Sequence, residues 1–141
     1  MKELEEIALT ARKILQEALL RCMNKDNTKG ACLYGAHLVH TMVSQFTQYG
    51  SIVRGGDGNG DGGFYISGVG HGHYWVEVRM PSGLVVIDIT ADQFGIDPLI
   101  VKPAKDVEFY FNGNQELVDQ HYGEFMLEIG SVVPCEFMRV S

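Results

Sequence analysis

Residues 73–90 restrict the possible folds of this chain more than any other stretch. His73-Tyr74-Trp75-Val76-Glu77-Val78-Arg79-Met80 and Leu84-Val85-Val86-Ile87-Asp88-Ile89-Thr90 are rich in β-branched and aromatic side chains. Between them, Met80-Pro81-Ser82-Gly83 carries proline second and glycine fourth, as a type I turn prefers. The spacing predicts one antiparallel hairpin. With Met80 and Gly83 flanking a two-residue turn, Trp75 faces Asp88 and His73 faces Thr90. His73, Trp75 and Glu77 then share a sheet face with Val86, Asp88 and Thr90, and His73 and Asp88 become diagonal neighbours about 7 Å apart at the backbone. A one-residue slip would put them on opposite faces. The other face, from Tyr74, Val76, Val78 and Met80 with Val85, Ile87 and Ile89, is apolar and needs a cover, which a helix at 114–128 or another layer is expected to supply.

Ahead of the hairpin the apolar period is helical. Leu4, Ile7, Ala8, Ala11, Ile14, Leu15, Ala18, Leu19 and Cys22 recur at three- and four-residue steps, predicting a helix from Leu4 to about Met23. The polar stretch Asn24 to Gly30 breaks it, with Asn27 or Thr28 the expected N-cap of a second helix, from Ala31 to Tyr49. That helix is expected to bury Cys32, Ala36, Val39, Val43 and Phe46 and to stop at Gly50. Strands are predicted at Ser51–Arg54, Phe64–Val69, Asp106–Phe111 and Val132–Val140. The glycine-rich segment from Gly55 to Gly63 reads as an irregular connection and a possible lid. Two helices before a mostly antiparallel sheet make an α+β fold, and a chain of 141 residues suits one domain over 1–141.

A thiol, an imidazole and a carboxylate therefore each occupy a defined setting. Cys32 lies in the first turn of a helix, where the macrodipole and unpaired N–H groups favour thiolate and can line an oxyanion hole. His73 and Asp88 share a face, so Asp88 can fix the imidazole tautomer while His73 moves protons for Cys32. Gly30 and Ala31 leave room for a carbonyl to approach. His71 is an alternative to His73, two residues away on the same face, with His73 favoured. His37 and His40 read as ordinary helix residues, Cys22 and Cys135 as structural, and Glu77 as a solvated strand residue.

Gly30-Ala31-Cys32, His73-Tyr74-Trp75-Val76-Glu77-Val78 and Asp88-Ile89-Thr90 together resemble the transglutaminase-like branch of the papain-like cysteine enzymes, with its His-x-Trp-Val-Glu run and Asp-Pro-Thr ending. The resemblance covers residues 30 to 90. Small bacterial glutamine deamidases share this order; arylamine N-acetyltransferases match less well, because Lys29-Gly30-Ala31-Cys32 only partly echoes their Arg-Gly-Gly-x-Cys. It implies a papain-like fold, Cys32 as nucleophile, His73 as base and acid, and Asp88 as the orienting carboxylate. The implied activity is amide hydrolysis through a thioester, as deamidase or peptidase on a protein or peptide, with no cofactor. Acyl transfer to an amine is the alternative, as is a non-catalytic module. The glutamine that papain-type enzymes carry before the cysteine is replaced by Asp26, Asn27 and Thr28. Asn27 and Gln93 are the candidate side-chain oxyanion donors, and Trp75 a candidate wall of the site.

Asp57-Gly58-Asn59-Gly60-Asp61-Gly62 matches the first half of a calcium loop, making Asp57, Asn59 and Asp61 candidate ligands, but Gly68 stands where a bidentate glutamate is needed. A formal charge of −7 argues against a nucleic-acid surface. Three cysteines in no metal-type spacing suggest a reducing compartment. The acidic start, Met1-Lys2-Glu3-Leu4-Glu5-Glu6, is unlike a signal peptide, and no apolar run reaches the ~20 residues of a membrane span. The expectation is a cytoplasmic protein without membrane contact, or one exported without a signal.

Overall fold

The structure, a computed structural model, describes residues 1–131; the strand expected at 132–140, and Cys135 with it, lies outside the described residues. Helices α1 (Lys2–Met23) and α2 (Cys32–Phe46) precede strands β1 (Gly50–Gly56), β2 (Gly63–Ile66), β3 (Val69–His71), β4 (His73–Met80), β5 (Gly83–Asp88), β6 (Ile100–Pro103) and β7 (Tyr110–Phe111), and α3 (Gln115–Ser131) follows. The fold is α+β with antiparallel sheets. No helix among the described residues is long and apolar enough to cross a membrane.

In α1, Leu4, Ile7, Ala8, Ala11, Leu15 and Leu19 are buried as the period predicts, whereas Ile14 is exposed and Arg12 takes a buried place on the stripe. Asn24 ends the helix in the left-handed conformation at φ +48, with its own N–H and that of Lys25 donating to Leu20 and Leu19. Cys22 is disulfide-bonded, which departs from the expectation of cysteines kept reduced.

The entry to α2 is a tight turn. Ala31 N–H donates to Thr28 O at 3.0 Å, and Gly30 sits at φ +81 in the third position, where a side chain would be strained. The N-cap is Ala31, not Asn27 or Thr28, and no side chain caps the helix. Thr28 is buried instead, its hydroxyl donating to Asp92 at 2.7 Å. Asp92 also receives a two-pronged ion pair from Arg12, with both contacts at 2.8 Å, and Arg12 reaches Ile89 O at 2.7 Å. One carboxylate thereby fastens α1, the turn before Cys32 and the chain just after β5. At its far end α2 stops at Phe46, short of Tyr49. Thr47 turns extended, and its hydroxyl donates to Val43 O at 2.7 Å. Phe46, expected in the core, is exposed.

The main sheet has the order β1-β4-β5-β6. Val76 pairs with Ile87, Val78 with Val85 and Met80 with Gly83, which is the predicted register. β6 has no counterpart in the sequence reading. The apolar face carries Val53, Val76, Val78, Val85, Ile87 and Ile89, and α1 and α2 supply most of its cover. Of the two expected covers it is therefore the other layer that serves, while the helix at 114–128, α3, reaches the core through Val118 alongside β1. Each buried valine or isoleucine here is worth roughly 1.5–3 kcal/mol, so the two N-terminal helices hold the sheet mainly by apolar burial. Glu77 is buried rather than solvated, pairing with Arg54 at 2.9 Å, and Arg54 in turn donates to Gln115 at the start of α3.

A second sheet, β3-β2-β7, replaces the single strand expected at 64–69. Ser67 at φ +53 and Gly68 at φ +78 form a two-residue turn with both φ angles positive, the type I′ geometry that matches strand twist. The strand expected at 106–111 shrinks to the two residues of β7. The glycine-rich connection is packed, not free. A Cβ on Gly58 would collide with the backbone of His71, and one on Gly62 with Asn112 and Gly113. The lid expectation is therefore corrected: this segment is a backbone-on-backbone clasp joining β1, β3 and the approach to α3.

Candidate active site

Asp88 organises the site from the end of β5. Its Oδ1 accepts from the Thr90 backbone N–H at 2.9 Å and the Thr90 hydroxyl at 3.2 Å, so the local run Asp88-Ile89-Thr90 orients its own carboxylate. Its Oδ2 meets His73 Nε2 at 2.7 Å and accepts from the Tyr110 hydroxyl at 2.7 Å. His73 and Asp88 are 0 % and 2 % exposed, so the pair stands in low dielectric with every Asp88 oxygen satisfied.

Aromatic rings enclose the imidazole. Phe94 meets it edge-on at 4.9 Å between centroids, Phe64 at 5.9 Å, and Trp75 lies 6.0 Å away. Phe109, at φ +74, is an unusual conformation for a bulky residue; it immediately precedes Tyr110, whose hydroxyl must reach Asp88. Burial by itself would push His73 toward the neutral form. The Asp88 carboxylate, with a smaller contribution from Cys32, outweighs it and carries the pKa up to about 10. Burial likewise opposes ionisation of Asp88, but His73, Thr90 and Tyr110 hold its pKa below the ordinary value. Tyr110 is driven the other way, by burial first and then by Asp88, and keeps its proton as a donor.

With Nε2 committed to Asp88, the second nitrogen decides what the ring can do. His73 Nδ1 is buried and makes no hydrogen bond among the described residues. Cys32, a free thiol at the first position of α2, lies close enough to influence the imidazole proton while falling short of a well-aligned hydrogen bond. The structure therefore brings Cys32, His73 and Asp88 together in that order. The thiol opens onto a cleft of about 240 Å³ between the start of α2, Tyr74 of β4 and one face of α3.

The other sequence candidates lie elsewhere. Asn27 is exposed, its Oδ1 accepting from Lys29 N–H at 3.2 Å, and it lines a separate cavity with Arg12 and Thr28. Gln93 turns its amide back onto Thr90 O at 3.0 Å. Neither lines the Cys32 cleft. Trp75 is 1 % exposed and walls the ion pair, not the cleft. His71 packs against Phe94 with tilted rings 4.9 Å apart, while His37 and His40 bond Tyr122 and Ser51. Asp57 Oδ1 accepts from the N–H groups of Asn59 and Asp61, and Asp61 Oδ1 from Asn114 N–H, so these oxygens serve the loop and the entry to α3. No group of three or more His, Cys, Asp or Glu side chains among the described residues could hold a metal ion.

Sequence reading missed Tyr110, Phe94, Tyr74 and His121. Tyr110 lies on β7, whose position depends on the second sheet, and Phe94 ends the short 3-10 turn after β5 that Asp92 fastens to α1; no periodicity announces either placement. Comparison with protein-family models, with curated proteins and with solved structures finds no match.

Proposed function

We propose that this protein is a thiol-dependent acyl-transfer enzyme of the transglutaminase-like, papain-like class, hydrolysing an amide as a protein glutamine deamidase or a cysteine peptidase. The supporting observation is the His73 ring, with one nitrogen tied to buried Asp88 and the other unpartnered beside the free thiol of Cys32. Asp88 holds the Nε2 proton and favours the charged ring, so the thiol proton passes to Nδ1 and leaves an imidazolium beside the Cys32 thiolate. Sulfur attacks the carbonyl carbon, a C–S bond forms, and the π pair moves to oxygen. The uncapped first turn of α2 offers N–H groups to that oxyanion. Collapse expels ammonia or an amine, which takes its proton from Nδ1. A water then loses a proton to Nδ1, attacks the thioester and restores Cys32. An amine in place of water is the second reading, favoured by the Glu124 carboxylate in the cleft, which suits a cation.

The test is alkylation of Cys32 by iodoacetamide across pH, with Cys32→Ser as the blank. An ordinary thiol is only about 1 % ionised at pH 6.5, so an activated one stands out there. The parent is expected to alkylate at least ~10-fold faster than His73→Ala at that pH. Equal rates in the two proteins would defeat the enzyme reading.

A further inference from the structure

The cleft over Cys32 has polar side chains of two kinds. Glu124 and Glu128 are carboxylates, which repel a developing oxyanion. Tyr74 and His121 are the remaining polar groups besides the thiol, and they are joined, with Tyr74 OH 2.8 Å from His121 Nδ1. Tyr74 follows His73 on β4 and so points to the opposite sheet face, toward α2 and α3, which places its hydroxyl at the cleft while His73 stays buried. Burial first, then the charges of Cys32 and Glu124, raise the Tyr74 pKa, so the phenol keeps a hydrogen to donate. With the proton of His121 on Nδ1, that ring donates to the phenol oxygen and the phenol hydrogen is free to turn into the cleft.

We propose that Tyr74, oriented by His121, is the side-chain oxyanion donor of this site, the role that Asn27 and Gln93 do not fill. This rests on the reading of Cys32 as an acyl-accepting nucleophile. In the first half-reaction the Cys32 sulfur bonds to the carbonyl carbon and the carbonyl π pair becomes an oxyanion held by the Tyr74 hydroxyl and the α2 N–H groups. Re-forming the C=O bond then expels the leaving group. Tyr74 is the catalytic residue in this proposal, and His121 a positioning residue that acts through it.

Two probes separate oxyanion binding from thiol activation. Iodoacetamide reacts by displacement at a saturated carbon and forms no oxyanion. p-Nitrophenyl acetate acylates the thiol through a tetrahedral oxyanion and releases p-nitrophenolate, which needs no proton. Both rates are measured on the full chain and corrected with Cys32→Ser. Tyr74→Phe keeps the ring, and is expected to slow acetylation ~100-fold while leaving alkylation within about twofold. His121→Gln, at an exposed helix position where folding is not at stake, is expected to give a smaller loss confined to acetylation. Equal slowing of both reactions by Tyr74→Phe, or a parent acetylated no faster than that variant, would overturn the assignment. Loss of the His73→Ala effect on alkylation would instead bring down the enzyme reading itself, so the two failures are distinguishable.

Discussion

Asp88 accepts four hydrogen bonds while nearly inaccessible to water, and its stability contribution depends on the charge of His73. Removing one partner of a buried, hydrogen-bonded pair leaves the other uncompensated, which costs about 3–5 kcal/mol. Asp88→Asn is therefore expected to lose that much in urea denaturation at pH 6. The pH dependence has two limbs. His73 has a folded pKa raised to about 10, so its contribution is complete below its unfolded value of about 6.5 and declines as pH rises through about 10. Asp88 has a lowered folded pKa, so its contribution is complete above about 3.9 and declines as pH falls. Parent stability should fall between pH 7 and 10, and Asp88→Asn should flatten that fall. A variant that tracks the parent's slope would show that the pair does not set it. At this scale the sequence was informative: His73 and Asp88 were legible because strand alternation and a proline-containing turn specify which side chains share a face. Tyr110 was not, because its approach to Asp88 depends on a partner strand far along the chain.

Among the elements, α1, α2 and the β4–β5 hairpin followed from apolar periodicity, while the second sheet did not. Ser67-Gly68 sits inside a run that reads as one strand, and only the positive φ angles of both residues reveal the hairpin. The glycine-rich connection was misjudged for a related reason. Glycine content signals conformational freedom in an isolated segment, but here it permits backbones to touch. Gly58 and Gly60 separate these roles. Both have positive φ, and a Cβ at Gly60 meets open space while one at Gly58 meets the His71 backbone. Gly60→Ala is expected to cost about 1–2 kcal/mol, from the left-handed backbone alone. Gly58→Ala should cost at least ~1–3 kcal/mol more, from overpacking. Thermal or urea unfolding of the two variants checks the clasp; equal losses would return the segment to the status of a loose loop. The Arg12–Asp92–Thr28 fastening was equally hidden, since a basic residue on an apolar stripe announces no partner so distant in sequence.

At the scale of the molecule, α3 closes one side of the Cys32 cleft and packs on α2 through histidines. His37 meets the Tyr122 hydroxyl at 2.8 Å, and His40 meets Ser51 at 2.7 Å and the Tyr122 ring edge-on. Burial lowers both pKa values, and for His37 the neighbouring His40 adds to it. The sign is opposite to that of His73. A base held neutral in the fold contributes stability that is present above about pH 6.5 and is lost as pH falls, because the unfolded chain takes up protons first. Acidification from pH 7 to 5 is therefore expected to lower Tm by a few degrees, on the order of 4 °C per kcal/mol lost. A His37→Gln, His40→Gln double variant should show a smaller drop, measured by circular dichroism. An undiminished drop would place the acid sensitivity elsewhere.

The sequence by itself determined the two N-terminal helices, the register of the hairpin and the meeting of His73 with Asp88. All three depend on local periodicity and turn chemistry, which neighbouring residues encode. Tertiary structure alone decided which helices cover the sheet, that Glu77 is buried, that the glycine segment is a clasp, and which side chains stand over Cys32. Those outcomes depend on where distant elements come to rest on one another, and a burial pattern that fits several covers does not choose among them.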